Sequence, residues 1–128
     1  MSVTRPALLT LAVLLAAPAA FAGNADVKEG EKLFTSKACA TCHAVSKGTE
    51  AGKIGPSLVG VVGRKAGTTK ALMPTSPALA KSGIVWSTRT LDEFLENPTA
   101  KVPGTSMVIA IPDAQQRADV IAYLATLK

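Results

Sequence analysis

Both cysteines of this chain and its only histidine fall within five consecutive residues, Cys39-Ala40-Thr41-Cys42-His43. That concentration leaves few chemistries open. A small disulfide would use the two thiols and leave His43 without a part. A redox-active disulfide of the thioredoxin kind needs a strand before the motif and a βαβ surround, whereas the residues before Cys39 follow a helical pattern. Structural zinc wants four Cys or His ligands, and the chain has three such residues in total. The remaining pattern, C-x-x-C-H, is that of covalent haem attachment. One helical turn brings positions i and i+3 to the same side. Both thiols can then reach one porphyrin edge and add across its vinyl groups as thioethers, while the His43 imidazole meets the iron from one face.

The chain opens with Arg5, an apolar run from Ala7 to Ala20, and the A-x-A pattern Ala20-Phe21-Ala22. This reads as a secretory signal peptide over 1–22, cut after Ala22, ahead of one domain over 23–128. The run is shorter than the ~20 residues of a spanning helix, and Pro18 interrupts it, so stable membrane insertion is not expected. Export places the domain in the periplasm. Without Arg5, 13 of the 14 basic side chains remain against 9 acidic ones. A mild positive charge suits acidic protein partners and is too weak and scattered for nucleic acid. Aromatic residues are few, and a domain of this size has thin stability margins. A covalently held haem would supply the large apolar body that the side chains lack.

A second axial ligand decides what the iron does. An open position favours small-molecule chemistry, and two protein ligands favour electron transfer. With no second histidine, methionine is the usual alternative, and Met1 leaves with the leader. Met73, in "TTKALMPTSP", and Met107, in "ENPTAKVPGTSMVIAIPD", both sit in segments broken by proline. Met107 has the better flanking anchors, but spacing does not exclude Met73.

Helical patterns occupy three main stretches. Residues 24–37 carry Asn24 as a cap candidate and Val27, Gly30 and Phe34 on one face. Gly30 inside a helix costs about 1 kcal/mol against alanine, which close approach of another helix would offset. Residues 87–97 have cap candidates Ser87 and Thr88, the stripe Leu91, Phe94 and Leu95, and a stop at Asn97-Pro98. The last segment has Asp113 and Gln116 in a capping-box pattern and Val120, Ile121, Leu124 and Leu127 in a stripe. The two terminal helices are expected to cross, with Gly30 against the turn 120–123. Ser76-Pro77 starts a short helix, and residues 48–70 are glycine-rich loop in which "LVGVV" has no strand to pair with.

In this order, Gly30 with Phe34, C-A-T-C-H, "GPSLVGVVGRKAG", "IVWSTRTLDEFLENP", "VPGTSM" and "ADVIAYL" resemble class I cytochrome c, the small monohaem branch that includes mitochondrial cytochrome c and its bacterial relatives. The resemblance spans nearly all of residues 26–128. It implies an all-α fold, three main helices plus short helices and loops wrapped around one covalently bound haem c. It assigns Met107 as the sixth ligand and Pro56 as the residue whose carbonyl accepts a hydrogen bond from His43. Arg64 and Trp86 match positions that meet the haem propionates, and Thr105 matches a threonine beside the ligand methionine. It also implies a monomeric carrier, not an enzyme, that shuttles single electrons between redox protein partners: a bc-type complex, a terminal oxidase, a photosynthetic reaction centre or a periplasmic oxidoreductase. This chain departs from the family where "LMPTS" replaces tyrosines near the propionates and Phe94 replaces a tyrosine beside the methionine. Thr99, Ala100 and Ser106 also stand where docking lysines are common, leaving Lys37, Lys47, Lys53 and Lys101 as candidates.

Overall fold

The computed structural model describes residues 24–48 and 53–128. The expected leader and its cut after Ala22 lie outside the described residues. Those that are described form six helices: α1 (Val27–Ser36), α2 (Cys39–Cys42), α3 (Pro77–Lys81), α4 (Thr88–Glu96), α5 (Pro98–Lys101) and α6 (Ala114–Thr126). Three are long and three are short, and no strand forms among them, only one isolated bridge between Lys65 and Val85.

α1 begins later than the pattern over 24–37 suggests. Its cap is Asp26, not Asn24, with the carboxylate accepting from the N–H groups of Lys28 and Glu29. The choice is made from across the molecule: Asp119 of α6 accepts from the Asp26 N–H at 2.8 Å, which fixes the chain in its capping conformation. Val27, expected on the buried face, is exposed, and Leu33 joins Gly30 and Phe34 there instead.

α1 and α6 cross as expected, and they form the main helix pairing of the fold. A Cβ placed on Gly30 would lie 2.0 Å from the Asp119 carbonyl oxygen and 3.0 Å from the Tyr123 Cβ. Only a residue without a side chain permits that approach, which accounts for a glycine in the middle of a helix. Beside the crossing, the Phe34 and Tyr123 rings stand 5.6 Å apart at a tilted angle. Leu33, Phe34, Val120, Ile121 and Leu124 join Leu91, Phe94 and Leu95 of α4 in one core. Asp113 caps α6 by accepting from the Gln116 N–H.

Ser87 caps α4 in a reciprocal capping box with Thr90. Asn97 ends α4 as expected, yet it also begins a helix that the sequence reading did not include. Its side chain accepts from the Ala100 N–H, and Pro98 occupies the first turn of α5, a position where the missing N–H costs nothing. "LVGVV" turns rather than extends, with Val61 N–H bonded to the Leu58 carbonyl.

Candidate functional site

The helices and the glycine-rich loop surround one apolar cavity, about 1250 Å³ of empty space with its mouth to solvent included. Every residue named from the sequence as a haem contact lines it: Cys39, Cys42, His43, Pro56, Arg64, Trp86, Thr105 and Met107. Residues up to 68 positions apart in the chain are thus gathered on one space.

The attachment motif lies where α1 ends. Ala38 adopts a left-handed conformation, φ 62°, and starts the single turn α2 from Cys39 to Cys42. His43 leaves that turn in an extended conformation, its N–H still bonded to the Cys39 carbonyl at 3.0 Å. Both cysteines are half-buried. Before any attachment, burial pushes the Cys39 thiol above its ordinary pKa.

His43 is fixed by its loop neighbours. Its Nδ1 donates to the Pro56 carbonyl at 2.7 Å. In the neutral ring this leaves the lone pair on Nε2, the nitrogen a metal would use. Burial lowers the pKa of His43, the Pro56 carbonyl opposes that, and the charge of Arg64 lowers it further. The neutral, ligand-competent form is favoured. Gly55 makes this geometry possible: a Cβ there would lie 2.6 Å from His43 Cε1. Backbone bonds from Gly55 N–H to the Cys42 carbonyl (2.7 Å) and from Leu58 N–H to the Ala44 carbonyl (2.9 Å) staple the loop to the motif.

Arg64 and Trp86 stand side by side because their backbones pair. Trp86 N–H donates to the Arg64 carbonyl at 2.9 Å, and Ala66 N–H to that of Ile84 at 2.8 Å. The Arg64 guanidinium donates to the Ser57 and Val59 carbonyls. Two of its five N–H groups are thus used, and others remain for an anion at the cavity. Burial lowers the pKa of Arg64, though an arginine stays charged at neutral pH. Trp86 is buried and packs on Phe94 with ring centroids 5.1 Å apart.

Both methionines of the domain reach the cavity, so position alone does not separate them. Their surroundings differ. Met73 is 53% exposed. Met107 is half-buried and packed against the core, and its N–H donates to Thr105 Oγ1 at 3.4 Å. Thr105 is itself buried, its N–H bonded to the Val102 carbonyl at 3.0 Å. The donor set fits a haem: two thiols on one turn, an oriented imidazole, a thioether on a separate loop, an apolar interior and a cation near its wall.

The model of the family described as "Cytochrome c" matches residues 27–128. The chain belongs to the cytochrome c family. Among its relatives, cytochrome c2 of Rhodomicrobium vannielii is 45% identical over 116 residues, covering 90% of this chain and 89% of the relative. Cytochrome c of Theileria annulata is 49% identical over 100 residues, 77% of this chain and 84% of the relative. Among solved structures, cytochrome cH from Methylobacterium extorquens superposes with a TM-score of 0.69 at 43% identity, covering 79% of this chain and 98% of that one. This cytochrome c is a class I monohaem protein, its cofactor is covalently bound haem c, and the family carries electrons.

Two features carry no local mark in the sequence, one in the site and one outside its cavity. Gly55 lines the cavity beside Pro56, and its closeness to His43 depends on contacts the sequence does not state. Arg117 and Asp92 pair through a 2.7 Å contact between two different helices, and nothing in either local pattern marks them as partners.

Proposed function

We propose that residues 1–22 direct export and are removed after Ala22, and that residues 23–128 then act as a monomeric periplasmic electron carrier with His43 and Met107 as axial ligands of the haem iron. One observation carries the ligand assignment. His43 and Met107 line the same cavity, with the histidine ring fixed by Pro56 and the methionine half-buried against the core.

When bound, the haem supplies a one-electron couple, and ligation by histidine and methionine favours a raised potential. The chain does the rest. Cys39 and Cys42 tether the cofactor against loss outside the cytoplasm. His43 is kept neutral and aimed by the Pro56 carbonyl, an arrangement that strengthens a histidine ligand. Thr105 and the fixed ends of its loop hold the thioether. Phe34, Leu91, Phe94, Leu95 and Leu124 line the interior and exclude water. Arg64 and Trp86 are suited to the propionates, and Thr75 and Ser76 line the same cavity in place of the family tyrosines.

The partners are redox proteins, for which a bc-type complex, a terminal oxidase, a reaction centre and a periplasmic oxidoreductase are the candidates. Of the four lysines left for docking, Lys53 already donates to the Ala40 carbonyl and Lys101 pairs with Glu93. Ile54 and Met73, at the cavity mouth, are exposed and apolar. Electron-transfer rates with a partner should therefore fall only gently with added salt.

The test is a visible spectrum of the periplasmic protein. The ferric protein should show the weak far-red band of sulfur–iron bonding. Met107→Ala should abolish the band and Met73→Ala should leave it. The opposite result assigns the ligand to Met73, and a colourless protein overturns the reading. Mass spectrometry should find the chain beginning at Gly23.

A further inference from the structure

Among the described residues Arg117 is the one buried basic side chain, 5% exposed, and it does not line the haem cavity. Its guanidinium instead gathers three segments. Nε donates to Asp92 Oδ1 on α4 at 2.7 Å, and Nη1 donates to the carbonyls of Ile111 and Pro112 at 3.1 and 2.7 Å. Glu96 of α4 lies 3.9 Å from Nη2.

Ile111 and Pro112 end the loop that carries Met107. The upstream end is held by Thr105, whose N–H reaches the Val102 carbonyl. The downstream end is held by the Ile111 N–H, bonded to the Leu95 carbonyl at 2.7 Å, and by the Arg117 fork. Pro112 has no N–H to contribute. Between these ends no helix or strand supports the chain. The place of the thioether therefore depends on both ends staying fixed, and Arg117 supplies two of the three hydrogen bonds at the second.

We propose that Arg117 is a positioning residue for Met107: its guanidinium clamps the downstream end of the loop to α4 and α6, and loosening it uncovers the methionine face of the haem. The proposal rests on Met107 being the axial ligand. It differs from a merely stabilising ion pair in a measurable way. A clamp governs a local opening of the loop, and an external ligand binds in proportion to the fraction of molecules that are open.

The experiment compares ferric, haem-loaded wild type with Arg117→Met, Arg117→Lys and Ile121→Ala, the last a core truncation in α6 whose side chain neither lines the haem cavity nor hydrogen-bonds the loop. The readouts are the far-red band and imidazole affinity by spectral titration, both below the unfolding transition of each variant. Arg117→Met should weaken the band and bind imidazole roughly tenfold more tightly, the change given by loop opening made easier by about 1.4 kcal/mol. Arg117→Lys keeps the charge without the fork and should fall between. Ile121→Ala should lower stability yet leave both readouts as in wild type. If Arg117→Met does not fold, Arg117→Lys against Ile121→Ala carries the same comparison. The proposal is overturned if the Arg117 variants keep the wild-type band and imidazole affinity, or if Ile121→Ala shifts them equally. Loss of the ligand assignment is seen separately, as a band that survives Met107→Ala, and it overturns the clamp as well.

Discussion

Replacing Gly30 with alanine should unfasten the two terminal helices. In an isolated helix the change is favourable by about 1 kcal/mol. Here the new methyl group would lie 2.0 Å from the Asp119 carbonyl oxygen and 2.5 Å from its carbon, where ordinary contact begins at 3.4 Å. The struck atoms are backbone within α6, so no rotamer change relieves the overlap, and α1 and α6 must separate by about an ångström or more. That movement loosens the Phe34–Tyr123 ring pair, worth about 1 kcal/mol. It also strains the bond from Asp26 N–H to Asp119. Overpacking alone costs about 1–3 kcal/mol; the ring-pair loss and the propensity gain offset each other, so the net loss should be about 1–3 kcal/mol. With a urea m-value of about 2 kcal/mol/M, the unfolding midpoint of the haem-loaded protein should drop by about 0.5–1.5 M. Far-UV circular dichroism against urea reads this directly. Glu31→Ala, one position along on the exposed face, should stay within about 0.5 kcal/mol of wild type. A Gly30→Ala midpoint equal to or above that of wild type would refute the close-approach argument.

Three further outcomes follow from the same geometry. Gly55→Ala should push the His43 ring off the Pro56 carbonyl, and purified protein should carry less haem, read as visible absorbance per chain; a full complement with an unchanged spectrum counts against the tight fit. Asp119→Ala removes the acceptor for both the Asp26 N–H and the Gln115 side chain, so urea unfolding should report a loss of about 2 kcal/mol, the scale of hydrogen bonds to a charged group. The N–H groups of Glu29 and Lys28 hold the Asp26 carboxyl below its unfolded value of 3.8. Its stabilisation should be complete above that value and disappear as pH falls through the lower folded one, so Asp26→Ser should flatten the acid limb of a stability–pH curve.

What could be read from the sequence was what scarce residues reveal. Two thiols and one imidazole in five positions admit almost one chemistry, and a glycine inside a helix advertises a close neighbour because it is locally unfavourable. What could not be read depended on distant partners. Asn24 and Asp26 are equally good caps by type, and Asp119 decides between them. Asn97-Pro98 was read as a stop because the pair breaks a helix, but the same two residues also open one. Nothing beside Arg117 in the sequence marks its carboxylate partner, which lies 25 residues away on another helix. Met73 and Met107 share one cavity, and the difference in their burial depends on packing that neither local pattern contains.

The hydrogen bond from Asp26 to Asp119 joins residues 93 positions apart, so the first helix has no seat until the last one exists. A chain made from its N-terminus presents Cys39 and Cys42 early and acquires α6 at the very end. Closing so long a loop is entropically slow. The order of arrival therefore opens a window in which the two thiols remain open to the incoming haem, and the arrival of α6 shuts it.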